Sequence, residues 1–352
     1  MPNPAYMTDS NKFVACIANN GSSQDVYLDT AAELSKIDRK NHKQVTDKGV
    51  PLVYDLMVSV TIPVKKSLVA SASNPDLLGS VVVKTAPLNW QTRNSVRMAH
   101  FTREDLRKEA GVAKGSIGRY AKNLRCNLDP TMYALPYDPT GLLPTAQPVA
   151  QRLYAQKEIN FNSVSLLNHA GERFEGGEWD YTQLSQVQSG DANTADDFYL
   201  NICESHSSLA PGPYTYIGLL QAYNQRRQTT LDDSTLTSGG DTQFIDNESP
   251  FFRVPEQDVS EDAYVSITLD EQDQPPYDRR IGESPGLGVD SKSAQPQDFA
   301  QLTVYQSTAT FRIQAPLGLV KFELADLLGT DETDLLRQFV AYEVECLGTY
   351  EM

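Results

Sequence analysis

Apolar and polar residues alternate with a period of two along several stretches of this chain. The clearest stretch is 54–62, where the apolar residues at every second position alternate with Asp55, Ser59 and Thr61. Successive side chains of a strand point to opposite faces, so this pattern predicts a strand with one core face and one wetter face. Similar patterns predict further strands at 13–18, 80–85, 154–161, 198–203, 263–270, 302–305, 310–315, 319–324 and 340–346.

Helical patterns are few. The best one, 102–110, opens on Thr102 with Asp105 three residues later, which resembles a capping box, and Gly111 serves as its stop. Two further helices are predicted at 214–225 and 333–337. The chain is therefore predicted to be built mainly from strands.

Long polar connections that carry Gly and Pro separate the predicted strands. They lie at 185–197, 229–240 and 271–296. A tight reversal between two strands is predicted at Pro316 and Gly318. The short, polar, proline-bearing segment 205–213 is the predicted linker, with about seven strands expected on either side of it. This arrangement predicts two β-sandwiches in tandem.

The composition narrows the class of protein. The chain has 352 residues, enough for two domains, and its 20 Pro and 21 Gly argue against a helical bundle. Residues 1–10 lack the basic and apolar regions of a secretory signal, and the most apolar stretch, 49–64, falls short of a membrane span. We therefore expect a soluble protein.

Charge is unevenly distributed along the chain. The formal net charge is −16, which weighs against general nucleic-acid binding. Residues 91–125 nevertheless carry nine basic and three acidic residues, a net charge of +6, whereas residues 171–262 have a net charge of −13. Such complementary regions suit a protein that packs against copies of itself. An alternative of equal weight is a solvated helix face accompanied by solubilising loops.

No sequence motif points to catalysis or to a bound cofactor. The four cysteines form no C-x-x-C pair, which predicts buried, reduced thiols, and the four histidines lack metal-ligand spacing. These residues are Cys16, Cys126, Cys203, Cys346, His42, His100, His169 and His206. We therefore assign no catalytic, cofactor-binding or metal-binding residue and no cofactor, and we expect that the chain is not an enzyme.

Three further hypotheses concern binding. In sequence, Trp179 lies near three carboxylates, Glu172, Glu175 and Glu178, a combination that suits a carbohydrate-binding or glycoside-hydrolysing β-sandwich. We favour a simpler interpretation of the same residues, namely an acidic surface loop with one anchoring aromatic residue. Two acidic runs could bind calcium through oxygen ligands, namely Asp246, Asn247 and Glu248, and Asp270, Glu271 and Asp273. The basic region 91–125 could contact nucleic acid, since aromatic residues accompany its cations: Trp90, Phe101 and Tyr120.

Six segments of the chain share a resemblance with one family of viral proteins. They are KTAPLNWQTRN (84–94), FTREDL (101–106), GRYAK (118–122), YIGLLQAY (216–223), DQPPYD (273–278) and QAPLGLV (314–320). Together they resemble double jelly-roll major capsid proteins of tailless icosahedral DNA viruses, particularly phages with an internal membrane. The resemblance implies an all-β fold with two jelly-roll β-sandwiches in tandem and a few short helices in the loops. The first jelly roll is expected at 1–205 and the second at 206–352.

The same resemblance implies a structural role as a viral major capsid protein. Such a protein self-assembles into homotrimers of pseudo-hexagonal outline, which tile an icosahedral shell; it is made in the host cytoplasm and resides in the virion. The implied partners are further copies of the chain, penton or vertex and minor capsid proteins, and an internal membrane on the inner face, but no specific nucleic-acid sequence. We expect the acidic loops mainly on the outer face and the basic region at contacts or inside. A minor capsid or spike protein is a further alternative.

Overall fold

The computed structural model describes residues 11–18, 23–62, 77–135, 150–158, 172–174, 177, 179–187, 195–207, 214–227, 292–325 and 339–352. These residues lie mostly in strands, which confirms a fold built mainly from β-sheets. The strands are β1 (Lys12–Ala18), β2 (Gln24–Asp29), β3 (Leu52–Thr61), β4 (Leu77–Thr85), β5 (Ala150–Arg152), β6 (Gln156–Glu158), β7 (Glu172–Arg173), β8 (Gln183–Val187), β9 (Ala195–Asn201), β10 (Tyr216–Gly218), β11 (Gln295–Thr303), β12 (Thr308–Pro316), β13 (Leu319–Ala325) and β14 (Phe339–Glu351). The helices are α1 (Thr30–Asp38), α2 (Trp90–Glu109), α3 (Pro130–Ala134) and α4 (Leu219–Arg227), with a 3₁₀ turn at Lys114–Ser116.

The chain divides into two compact units, which are described separately. Unit 1 comprises Met1–Leu88, Thr131–Asp180 and Ala294–Met352, and unit 2 comprises Asn89–Pro130 and Tyr181–Ser293. This division differs from the predicted boundary between 205 and 206. The physical reason is that strands from both ends of the chain pair with each other in unit 1.

The first sheet of unit 1 has the order β12-β3-β14-β1-β6-β7. Strands β1 and β14 run antiparallel, with pairs from Lys12↔Glu345 to Ala18↔Phe339. Strand β3 lies between β14 and β12 and pairs with both along nearly its whole length. The first described strand of the chain therefore lies beside the last, and β14 satisfies the backbone groups along one edge of β1.

The second sheet of unit 1 has the order β11-β4-β13-β2-β5. Its neighbours are antiparallel, except that β2 and β5 are parallel. The chain alternates between the two sheets through β1, β2, β3 and β4, and alternates again through β11, β12, β13 and β14. Residues 86–294 are inserted between these two series.

The two sheets of unit 1 enclose an apolar core. Phe322 of β13 and Tyr342 of β14 belong to different sheets, are both buried, and have ring centroids 5.2 Å apart. Along β3, Val58 and Val60 are completely buried whereas Ser59 is partly exposed, as the alternation predicts. Each large apolar side chain buried in this way contributes about 1.5–3 kcal/mol to folding.

A two-residue corner carries the chain from β12 in one sheet to β13 in the other. Leu317 and Gly318 both have positive φ angles, 59° and 73°. A Cβ atom at Gly318 would lie 3.0 Å from Cδ2 of Tyr54, so glycine suits both the conformation and the space. The tight reversal predicted at Pro316 and Gly318 is confirmed.

Unit 2 contains a three-stranded sheet and a helix pair among its described residues. The sheet order is β10-β9-β8, with β8 antiparallel and β10 parallel to β9. Helices α2 and α4 pack against each other. The ring of Trp90 meets that of Tyr223 edge-on at 6.2 Å, and the Asn94 side-chain amide donates to the Tyr223 hydroxyl at 3.2 Å. Among the described residues there is no helix with the length and apolar character that a bilayer crossing requires.

Most predicted strands coincide with strands of the structure. They are β1, β3, β4, β9, β12, β13 and β14. The prediction at 302–305 meets only the end of β11, and that at 154–161 meets β6 alone within the described part of the chain. The predicted connection 185–197 is wrong at both ends, because Ser185 and Asp197 pair within the β8–β9 hairpin. The predictions at 229–240, 263–270 and 333–337 lie outside the described residues.

The predicted start of the helix at Thr102 is wrong. Helix α2 begins twelve residues earlier, because Asn89 provides its N-cap: the side-chain oxygen of Asn89 accepts the Thr92 N–H at 3.0 Å. The capping-box pattern at Thr102 therefore falls inside the helix. The predicted stop at Gly111 is confirmed, since this residue has a φ of 71° and its N–H donates to the Lys108 carbonyl.

The predicted helix 214–225 also begins later than expected. Residues 216–218 form β10, whose backbone pairs with β9, and α4 starts at Leu219. Within the predicted linker 205–213, the described residues 205–207 are held in unit 2. His206 Nδ1 accepts the Gly218 N–H at 3.0 Å, and Gln221 accepts the His206 N–H at 3.0 Å. The rest of this linker lies outside the described residues.

Candidate interaction surface

The basic region 91–125 is built on helix α2 in unit 2. One face of α2 is buried, and its members recur at intervals of three and four residues, as on one side of a helix. They are Thr92, Ser95, Val96, Met98, Ala99 and His100. Burial of this face orients the opposite face outwards.

The exposed face of α2 carries cations and aromatic rings in one row. Trp90, Arg93, Arg97 and Phe101 follow each other at intervals of three or four residues, and all four are exposed. The two rings are 42% and 51% exposed. Arg93 and Arg97 make no ion pair with any described residue. We call these four residues the α2 stripe.

Residues 110–122 follow α2 as an exposed basic loop that two arginines hold in place. Arg103 donates to the carbonyls of Ala121 at 2.5 Å and Lys122 at 3.0 Å. Arg125 donates to the carbonyl of Tyr120 at 2.9 Å. Burial lowers the pKa of Arg103. Two of the nine basic residues of the region therefore have a structural role and are not available to a partner.

Local ion pairs neutralise further cations of the region. Arg107 pairs with Glu104, Lys108 with Asp105 at 3.1 Å, and Lys114 with Glu104 at 4.0 Å. Among the described residues, four cations of the region remain exposed without an ion pair, and one acid, Glu109, does so as well. The four cations are Arg93, Arg97, Arg119 and Lys122. The sequence count of nine thus overstates the positive charge that a partner meets.

Trp179 lies in unit 1 and is only 8% exposed. Its ring nitrogen donates to an Asp29 carboxylate oxygen at 3.1 Å, and the same carboxylate accepts the Ala32 N–H and the Gln44 side-chain amide, each at 3.1 Å. Asp29 is the N-cap of α1, so the indole stabilises the start of this helix. Little of the ring is open for stacking on a sugar. The side chains of Glu172, Glu175 and Glu178 lie outside the described part.

A second buried carboxylate, Glu33 of α1, was not singled out from the sequence. One of its oxygens accepts the Ala155 N–H at 2.7 Å, and the other lies 2.6 Å from the Lys36 ammonium. Burial raises the pKa of Glu33, while Lys36 and the Ala155 N–H act in the opposite direction. The contacts tie α1 to a residue far along the chain, which is a structural role.

The four cysteines are buried and form no disulfide, as predicted. Burial raises the pKa of Cys16 to about 12 and also raises those of Cys126 and Cys346. A thiolate is the nucleophilic form of cysteine, so these three side chains are poor nucleophiles near neutral pH.

The histidines of the described residues have local partners. His42 Nε2 lies 2.6 Å from an Asp38 carboxylate oxygen, His206 accepts the Gly218 N–H, and His100 is buried. His169 and the acidic runs 246–248 and 270–273 lie outside the described residues. Within the described ranges, no group of three or more His, Cys, Asp or Glu is arranged to hold a metal ion.

Two aromatic side chains of unit 1 are more exposed than those of the α2 stripe. Phe299 on β11 is 71% exposed, and Tyr305, in the turn that follows, is 81% exposed. Strand β11 lies at the edge of its sheet. The exposed edge of a sheet offers unpaired backbone groups to another chain, and Phe299 lies on this edge. The sequence did not assign Phe299 or Tyr305 to a contact, because exposure depends on which strand lies at the edge.

Comparisons of the chain with protein-family models, with curated proteins and with solved structures find no match.

Proposed function

We propose that the chain is a viral capsid subunit built on a jelly roll. The observation that carries the proposal is the strand order of unit 1. Eight strands form two facing arrays, β12-β3-β14-β1 and β11-β4-β13-β2, and the chain alternates between them. Two Greek keys that are folded together produce this order in a jelly roll, an architecture of viral capsid proteins.

The proposal changes the placement of the expected jelly rolls. The eight strands come from 12–85 and from 295–351, so the boundaries of this sandwich differ from the expected 1–205 and 206–352. Unit 2 is inserted between its fourth and fifth strands. The described strands of unit 2 form a single three-stranded sheet, whereas a jelly roll has eight strands in two facing sheets. We therefore propose one jelly roll with an inserted unit rather than two in tandem.

A jelly roll suits a shell subunit for a physical reason. Its two sheets bury their apolar faces against each other, so the edges and loops remain for contacts with further subunits. We propose that the chain forms homotrimeric capsomers that tile an icosahedral shell, with no enzymatic activity. The proposed partners are other copies, vertex and minor capsid proteins, and an internal membrane on the inner face; the proposed location is the virion.

The proposal is tested by assembly of the purified chain. Size-exclusion chromatography with light scattering should give a trimer near three times 39.0 kDa, and electron microscopy should show trimers or shells. The Phe299→Ser variant should weaken the trimer, whereas Tyr350→Ser, which removes another exposed ring of unit 1, serves as the matched control. A wild-type chain that stays monomeric at every concentration and salt would contradict the proposal.

The alternative functions are separated by two further observations. The carbohydrate alternative would use an indole face open to a sugar, and Trp179 is only 8% exposed; specific binding on a glycan array would support this alternative. A minor capsid or spike protein would share the fold proposed here. Its copy number in a purified virion would be low, whereas that of a major subunit is high.

A further inference from the structure

The α2 stripe combines two features that protein interfaces favour. Arg93 and Arg97 present exposed guanidinium groups one turn apart, and Trp90 and Phe101 place a half-exposed ring at either end. Arginine and large aromatic residues are enriched among the residues that contribute most to protein binding. A guanidinium also matches a carboxylate with two parallel hydrogen bonds. The stripe therefore fits an acidic segment that also carries apolar side chains.

The chain itself supplies a segment of this chemistry. Residues 228–291 contain 15 acidic and three basic residues. Within them, 256–273 contains seven acidic residues and no basic one, and its apolar residues include Tyr264 and Ile267. Opposite charge on two parts of one chain makes a contact between two copies self-complementary.

We propose that the α2 stripe binds an acidic segment of a second copy of this chain. The inference rests on the proposed self-assembly and names a surface that takes part in it. Exposed Arg119 and Lys122 of the basic loop add positive charge in the same unit. Arg103 and Arg125 anchor the backbone of that loop, which reduces the entropy lost when a partner binds.

Nucleic acid is the competing occupant, because cations and aromatic rings also bind single strands. Every nucleotide carries a negative charge, whereas the segment 256–273 carries seven acidic residues among eighteen, so binding of nucleic acid would depend more steeply on salt. The segment 256–273 mixes acidic with apolar residues and so can use the two rings of the stripe as well as its cations. The presence of such a segment in the chain itself therefore favours the protein segment.

The test measures binding of a fluorescein-labelled peptide of residues 256–273 to the full chain by anisotropy. The Arg93→Glu/Arg97→Glu variant should bind it about tenfold more weakly at low salt, since two favourable charge contacts become repulsive. Glutamate is compatible with α2 at both positions because it is a good helix former, and at position 93 the positive end of the helix dipole also favours it. Circular dichroism and urea midpoints check that the variant is folded.

The matched control is Arg39→Glu/Lys48→Glu, which changes the net charge by the same amount. Both residues are exposed cations of unit 1, and neither makes an ion pair with a described residue. This control variant should bind the peptide within about twofold of the wild type. Equal loss in both variants, or no binding to the wild type, would overturn the inference. A third result would overturn the inference in favour of nucleic acid. In that case the wild type binds (dT)20 tightly, Arg93→Glu/Arg97→Glu abolishes this binding, and the peptide does not compete with (dT)20.

The peptide experiment is independent of shell formation. A chain that stays monomeric but binds the peptide through the stripe contradicts the proposed function and supports the surface. If the Arg93→Glu/Arg97→Glu variant forms trimers and binds the peptide as well as the wild type does, the result supports the proposed function and contradicts the proposed role of the stripe.

Discussion

Replacement of Phe322 by alanine should destabilise the protein strongly, because the ring lies between the two sheets of unit 1. Phe322 is completely buried, and its ring centroid is 5.2 Å from that of Tyr342 in the other sheet. A buried Phe→Ala substitution costs about 3–5 kcal/mol. About 0.5–1.5 kcal/mol of this comes from the contact between the two rings. The loss is a large part of the stability of a typical domain.

The matched control is Phe299→Ala, the same chemical change on an edge strand where the ring is 71% exposed. At a protein concentration where the chain is monomeric, so that the proposed trimer contact of Phe299 does not contribute, it should change the free energy of unfolding by less than about 0.5 kcal/mol. Urea titrations followed by fluorescence give both values, and the slope with denaturant checks that the transitions are comparable. Phe322→Leu, with an expected loss of about 1–1.5 kcal/mol, keeps the test usable if the alanine variant does not fold.

The result that would refute this reasoning is an equal effect of the two alanine variants. It would mean that Phe322 is not enclosed between facing sheets. The strand order would then describe two separate layers, and the jelly-roll proposal would lose its basis.

Three further predictions concern the fold. Gly318→Ala should lower the free energy of unfolding by about 1–3 kcal/mol, because the φ of Gly318 is 73° and a Cβ would press on Tyr54. Thermal unfolding measures this loss, and an unchanged stability would contradict the prediction. Tyr342→Phe should leave the free energy of unfolding unchanged or raise it by about 1 kcal/mol, since the buried Tyr342 hydroxyl has no hydrogen-bond partner among the described residues. Tyr54→Phe should lower it by about 1 kcal/mol, because the Tyr54 hydroxyl donates to the Lys43 carbonyl at 2.7 Å. The same sign for both variants would oppose this view. Burial raises the pKa of Glu33 above 4.5, so ionisation of Glu33 lowers the stability of the wild type as pH rises. The urea midpoint of Glu33→Gln minus that of the wild type should therefore increase above about pH 4.5. A difference that does not change with pH would contradict the raised pKa.

The surface shows where sequence reasoning reached its limit. Nine cations in 91–125 predicted a basic region, but Arg103 and Arg125 bind backbone carbonyls and others pair with neighbouring acids. Four remain without an ion pair among the described residues. Trp179 was a candidate for sugar stacking from its neighbours in sequence, yet its indole donates to Asp29, 150 residues away. Such pairings depend on residues that are distant along the chain.

The strands likewise differ in whether the local sequence could predict them. Residues 54–62 alternate clearly because one face of β3 is buried, so the period of two was visible. Strand β2 was missed because its residues Val26, Tyr27 and Leu28 are all buried, and a run buried on both sides has no alternation. Strand β11 was nearly missed for the opposite reason, since most of its residues are exposed.

The sequence by itself determined that the protein is built mainly from strands, that its cysteines are buried and that the chain reverses tightly at Gly318. These features follow from the side-chain period of a strand, from the apolar character of a thiol and from the conformational freedom of glycine, all of which are local. The tertiary structure alone decided that β1 pairs with β14, that unit 2 is inserted between β4 and β11, and which cations remain exposed. Pairing and burial join residues far apart in sequence, so the alternation of a strand predicts its faces but not its partner.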